Sequence, residues 1–239
     1  MNRDYKSIAE TVSQKYQSHS GLIGILWIGS ASFGINDTHT DIDIRLLVKQ
    51  SRKKFPMRQF KQDGIEVEVD EMSWQWLTKN QNIDSEERWI REKGAILYDP
   101  KKLVANKFNQ LAKLVRKKAQ AGLWESFKSV FYSNDIEKCL KRNDKIATAL
   151  YFYSAIENIL KFVFILHGQP VPPFKWRWHF LVKNKLLPQN TLASMNSILL
   201  PSKSLEAKLK LLVGVEQQLQ QIMIDKGYKK EMVLEHWRF

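Results

Sequence analysis

Cysteine is almost missing from this chain of 239 residues: Cys139 stands alone. One thiol excludes an intrachain disulfide and any zinc site built from several cysteines, and it suits a reducing compartment. The amino terminus, MNRDYKSIAETVSQKY, lacks the apolar stretch that a signal peptide needs. The most apolar runs, GLIGILWIG and ILKFVFIL, fall far short of the roughly 20 residues that span a bilayer. Repeats and low-complexity tracts are missing too. Acidic residues are in deficit, 25 against 38 Lys and Arg, for a net charge of +13. The shortages lead to the expectation of a cytoplasmic protein with no membrane partner.

What is present is ordinary for a globular protein: 44% apolar and 26% charged residues, with 8 Trp, 12 Phe and 7 Tyr. Such an aromatic supply excludes a disordered chain. The length allows one large domain or two small ones, each with its own core. The basic excess is spread, +6 over residues 1–118 and +7 over 119–239. A solvated basic surface and attraction for polyanions such as triphosphates, RNA or DNA both remain open on this ground.

Periodicity divides the chain. Ile8, Val12 and Tyr16 mark an amphipathic helix over 4–18. LIGILWI (22–28) reads as a strand covered on both faces, and GSASFG (29–34) as a turn opening a short helix. DIDIRLLV (41–48) is a second strand, and GIEVEVDEM (64–72) alternates cleanly as a third. The basic stretch 51–64, with Pro56 inside, is expected as connector or short helix. SWQWLTKN starts on a capping Ser; DSEERWIREKG has acid early, base late and a closing Gly, as a helix should. AILYDP is a short strand stopped by Pro100. Beyond it the pattern is helical: 101–119, 123–141, 144–167 and, after the Pro-rich HGQPVPP, 204–227. The expected fold class is therefore α+β, an α/β front over 1–118 followed by an all-helical bundle over 119–239, with the boundary near Ala121-Gly122.

Asp41 and Asp43 carry the chemistry. Two apart on a strand, roughly 6.6 Å along it, they face one side. A buried or half-buried pair of like charges is costly unless a cation lies between them. Glu66 and Glu68, on the polar face of the next alternating strand, can each close the cluster. Carboxylates converging from two strands make a hard oxygen site, suited to Mg²⁺ or Mn²⁺ and unsuited to zinc. Two such ions can clamp the attacking and leaving oxygens of a phosphoryl displacement. Gly29 lets the backbone approach a phosphate, and Ser30 offers a hydroxyl beside the amides of a helix start. Arg45 continues the Asp41–Asp43 face and can pair with Glu66, pair with Glu68, or touch a phosphate.

Gly-Ser, ten residues, then Asp-Ile-Asp, with a later strand carboxylate, resembles the nucleotidyltransferase superfamily related to DNA polymerase beta. GIEVEVDEMSWQWL, followed by GAILYDPKKLVANKFNQLAKL, is similar to the aminoglycoside and lincosamide nucleotidyltransferases and their uncharacterised bacterial relatives. PPFKWRWHFL (172–181) is similar to a segment in the helical domain of several such proteins.

The resemblance implies a catalytic domain with a mixed sheet and flanking helices over 1–118, and a helical substrate-binding domain over 119–239. It implies that Asp41, Asp43 and Glu66 hold two Mg²⁺ ions (or Mn²⁺), with Glu68 as the alternative third acid. Gly29 and Ser30 hold the β- and γ-phosphates of ATP or another triphosphate, with Arg45 and Lys175 as further contacts. The implied reaction moves a nucleoside monophosphate, AMP by preference, to a hydroxyl of a small molecule, releasing pyrophosphate. Alternatives are an RNA, tRNA or protein acceptor, as in toxin–antitoxin members, or a noncatalytic module binding nucleotide or RNA. A homodimer fits the resemblance as well. Arg177 can also reach a triphosphate, and Glu157 reads first as a helix-edge salt bridge.

Overall fold

In the computed structural model, described over residues 4–35, 39–49, 56–79, 82 and 85–235, the chain forms two compact units, Met1–Lys118 and Ala119–Phe239. The first unit opens with α1 (Tyr5–Lys15), capped by Asp4, whose side chain accepts from the Ser7 amide at 3.1 Å. There follow β1 (Leu22–Ile28), the single turn α2 (Gly29–Ser32), β2 (Ile42–Val48), β3 (Arg58–Gln62) and β4 (Ile65–Ser73). Then come α3 (Trp74–Lys79), α4 (Glu86–Lys93), β5 (Ala95–Tyr98) and α5 (Leu103–Lys128), whose last residues, from Ala119 on, belong to the second unit. Ser73 and Ser85 cap the two short helices, accepting from the amides of Trp76 and Arg88.

The strands form one mixed sheet in the order β3-β4-β2-β1-β5. β2 and β4 are parallel; the other neighbours are antiparallel. Alternation sorts side chains to two faces. Ile25, Trp27, Ile42, Ile44, Leu46, Ile65, Val67 and Val69 turn to one face and pack with Tyr5, Ile8, Ala9 and Val12 of α1. On the other face Leu26 and Leu47 meet Leu77, Ile90, Val104 and Phe108 from α3, α4 and α5. That second apolar cluster takes Leu47 and Met72, toward the ends of β2 and β4. The beginnings of both strands carry their charged residues on the same side.

Two expectations need correction. Within 51–64, residues 58–62 are a strand, hydrogen-bonded to β4; residues 50–55 lie outside the described residues. Nor does a helix end at Ala121-Gly122. α5 runs through it, because Gly within a helix costs only about 1 kcal/mol relative to Ala. The break comes after Lys128 instead, so 123–141 is not one helix.

The second unit holds α6 (Ser133–Lys141), α7 (Lys145–Leu166), a 3₁₀ turn at Phe174–Trp176, α8 (Arg177–Lys183), α9 (Gln189–Leu199), α10 (Leu205–Asp225) and α11 (Lys230–Glu235). α6, α7, α9 and α10 pack on one another. α7 is long and apolar enough to cross a membrane by length and composition alone. Its Phe152, Ile156, Ile159, Phe162 and Val163 are buried in the unit, as in the central helix of a bundle. The buried Glu216 of α10 reaches across to α6, accepting from the amides of Tyr132 at 2.9 Å and Ser133 at 3.1 Å. A carboxylate from another helix thus satisfies amides that α6, whose N-cap makes no side-chain bond, leaves open.

Candidate active site

The antiparallel pairing of β1 with β2 sets Ile28, the last residue of β1, opposite Asp43. The Gly-Ser turn therefore lies against the second aspartate by register, although ten residues separate the two motifs in sequence. Gly29 has φ of +81°, and a Cβ there would lie 2.0 Å from Asp43 Oδ2. Only glycine leaves room for that carboxylate. Ser30 follows, buried, and its carbonyl accepts from the amides of Phe33 and Ile35, which closes the turn.

The parallel pairing of β2 with β4 sets Asp43 opposite Glu68, and β3 adds Gln59 opposite Glu68 and Lys61 opposite Glu66. Adjacent strands lie about 4.8 Å apart, so registered side chains on one face are neighbours. Arg45 folds back over this row. Its Nη2 donates to Glu68 Oε1 at 2.7 Å and lies 3.4 Å from Asp43 Oδ1. The three side chains are 17 to 22% exposed, which is buried enough for the charges to feel one another and open enough for solvent to reach them. Asp70, in register with Arg45, instead accepts from the Glu71 amide at 2.8 Å.

A pocket of about 280 Å³ opens beside this row, lined by Asp41, Gln59, Phe60, Lys61, Glu66, Val67 and Glu68. The geometry thus gathers Asp41, Glu66 and Glu68 at one pocket. It places Asp43 beside Glu68 and under Gly29, and it assigns Arg45 to Glu68 and Asp43. Gln59 and Lys61 join the row only through β3, whose one mark in the sequence is the alternation of Phe60 with its polar neighbours. Lys175 belongs to the second unit, where its Nζ lies 5.5 Å from the Trp176 ring. Arg177 is committed to Glu157 at 3.0 Å and to the Pro172 carbonyl at 3.0 Å.

Whether these residues fit a divalent cation is decided by their chemistry. All four acids are hard oxygen donors at the start of two adjacent strands, as Mg²⁺ or Mn²⁺ requires. Among the described residues no three His, Cys, Asp or Glu side chains converge into a finished cage. Arg45 supplies a reason, since it draws Glu68 and Asp43 to itself. The donor set matches such a cation in kind and in face, and does not match it in convergence.

This arrangement of sheet and helices has a counterpart among solved structures. A crystal structure of a nucleotidyltransferase-like protein from Exiguobacterium sibiricum 255-15 matches at a TM-score of 0.54 and 14% identity, over 95% of this chain and 77% of that one. No family model matches the chain, and no curated protein does.

Proposed function

We propose that the protein is a metal-dependent nucleotidyltransferase that moves AMP from ATP to a hydroxyl of a small-molecule acceptor, in the manner of antibiotic-modifying enzymes. The observation that carries this reading is the close fit of Gly29 against Asp43, with Glu68 in register on the parallel neighbour. A solvated Asp-x-Asp strand has no need of a glycine shaped around one carboxylate.

In this reading Asp41, Asp43 and Glu66 would hold Mg²⁺ or Mn²⁺. The cation, when bound, would offset the charge that builds on the α-phosphoryl oxygens. Gly29 and Ser30 receive the β- and γ-phosphates, since the glycine lets backbone approach and the serine offers a hydroxyl. Glu66, exposed at the pocket, takes the proton of the acceptor hydroxyl. The acceptor oxygen forms a bond to the α-phosphorus as the bond to the bridging oxygen breaks, and pyrophosphate leaves. The helical unit carries a +7 balance, which disfavours a polycationic acceptor and favours a neutral or weakly charged one. The same charge favours RNA as the second reading.

α-labelled ATP with Mg²⁺, offered lincosamides, aminoglycosides and total tRNA in parallel, tests this. The expected result is label on a small molecule with pyrophosphate release. Label on tRNA moves the assignment to the second reading. No label anywhere, with RNA bound in a salt-sensitive way, leaves a noncatalytic binding module and ends the enzyme reading.

A further inference from the structure

We propose that the exposed ring pair Tyr153 and Phe174 of the helical unit is a stacking platform for single-stranded nucleic acid, with Lys175 beside it to meet the phosphates. The surface belongs to the second unit and is independent of nucleotide transfer by the first.

Tyr153 of α7 is 51% exposed and Phe174 of the 3₁₀ turn 54%. Their ring centroids lie 5.8 Å apart, with the planes at 45°. Burying such rings is among the larger gains a fold can take, and here it is forgone at two touching positions. Looseness does not explain it, because Arg177 fixes the turn. Its Nε donates to the Pro172 carbonyl at 3.0 Å and its Nη1 to Glu157 at 3.0 Å. Its guanidinium carbon lies 5.6 Å from the Phe174 ring centroid. Glu157 in turn holds Lys161, one helical turn on, at 3.0 Å. The phenyl ring is thus ordered before any ligand arrives, which lowers the entropy cost of binding.

Charge selects the occupant. Lys161, Lys175 and Arg177 stand at this end of α7 with Glu157 between two of them, three cations to one acid, in a unit whose balance is +7. Lys175 is exposed and follows Phe174 directly, its Nζ 5.5 Å from the Trp176 ring. Every base has a π-face, so exposed rings hold a strand without reading its sequence, and cations beside them meet its phosphates. A duplex keeps its base faces inside its own stack and has none to offer. The α7 face continues through Leu150 and Ile146, one and two turns toward the N-terminus, both exposed. A protein partner would be drawn to those aliphatic residues. The rings and the cations gather at the opposite end of the stripe, and that combination fits a strand.

Fluorescein-labelled dodecamers of uridine, of deoxythymidine and of abasic deoxyribose phosphate, titrated with the full chain and read by fluorescence anisotropy, test this. At least one base-bearing strand should bind about tenfold or more tighter than the abasic strand. Phe174→Ala and Tyr153→Ala should each weaken binding about tenfold, with circular dichroism unchanged. Phe174→Leu, which keeps apolar bulk and lacks a π-face, should lose nearly as much. Lys175→Gln should reduce the steepness of log affinity against log salt by about 0.7. Equal binding of the abasic strand, or wild-type affinity in Phe174→Leu, overturns the platform and leaves a general attraction to a basic surface. Binding of no strand overturns it as well and gives the α7 face to a protein partner. Should Phe174→Ala fail to fold, Phe174→Leu and Tyr153→Ala decide by the same measures.

Discussion

The two units each hold a cluster of three charges, composed in opposite proportions. In the sheet unit Asp43 and Glu68 share one cation, Arg45. In the helical unit Lys161 and Arg177 share one acid, Glu157, each at 3.0 Å. Burial pushes the Glu157 carboxyl up. Hydrogen bonds from Lys161 and Arg177, and their charges, outweigh that and hold it below its ordinary range. This second cluster fastens the proline-rich stretch before α8 onto α7, since Arg177 also donates to the Pro172 carbonyl. The first cluster still has more acid than base and opens on a pocket with two further carboxylates. Each triad carries one unpaired unit of charge, positive around Glu157 and negative around Arg45, and the second stands beside a pocket lined by further acids.

The contrast can be broken most directly at Asp43. Asp43→Asn should lower nucleotidyl transfer by a factor on the order of 10³ and leave the melting temperature nearly unchanged. Steady-state kinetics with a differential scan would show this, and a large loss of stability with little loss of turnover would place Asp43 in the structural class instead. Glu216→Ala should do the reverse. Losing the buried acceptor of two amides should cost about 3 kcal/mol, read by urea unfolding, with the remaining folded protein as active as before.

Gly29→Ala sharpens the comparison by mixing both effects. A Cβ cannot share space with Asp43 Oδ2, and the positive φ is unfavourable for alanine. The expected cost is about 1–3 kcal/mol of stability, together with a loss of turnover that purified folded variant would still display. Glu157→Gln should give the smallest change, about 0.5 kcal/mol near neutral pH. Because the folded carboxyl titrates below its ordinary value of 4.5, its contribution is present above that pH. It is lost as the pH falls through the lowered value, so wild type and variant should converge in acid. Denaturant midpoints at neutral pH and at acid pH give the comparison, and a gap that widens in acid contradicts it.

Much of this architecture can be read from periodicity. β1, β2 and β4 announce themselves because their apolar residues are continuous or strictly alternating, and α4 because Ser85, the early acids and the late bases agree. β3 hides for a physical reason. An edge strand has one free side, and polar, basic residues there guard against further pairing; only Phe60 marks a buried direction. α5 hides its length because Ala121-Gly122 looks like punctuation. The acids at 41, 43, 66 and 68 are visible in the sequence, but the partner of Arg45 is not. Choosing between Glu66 and Glu68 requires the parallel register, and nothing local in either strand encodes which residue stands opposite which. Gly29 could be suspected of approaching a phosphate; that it also makes space for Asp43 follows only once β1 and β2 are paired.

Along β4 a carboxylate can change address only in strides of two, since the intervening positions, Val67 among them, belong to the apolar core. Positions 66 and 68 are the two addresses available beside the start of β2, and both are filled by glutamate. The strand therefore carries a substitute in place: a descendant that lost one glutamate would retain the other on the same side of the sheet.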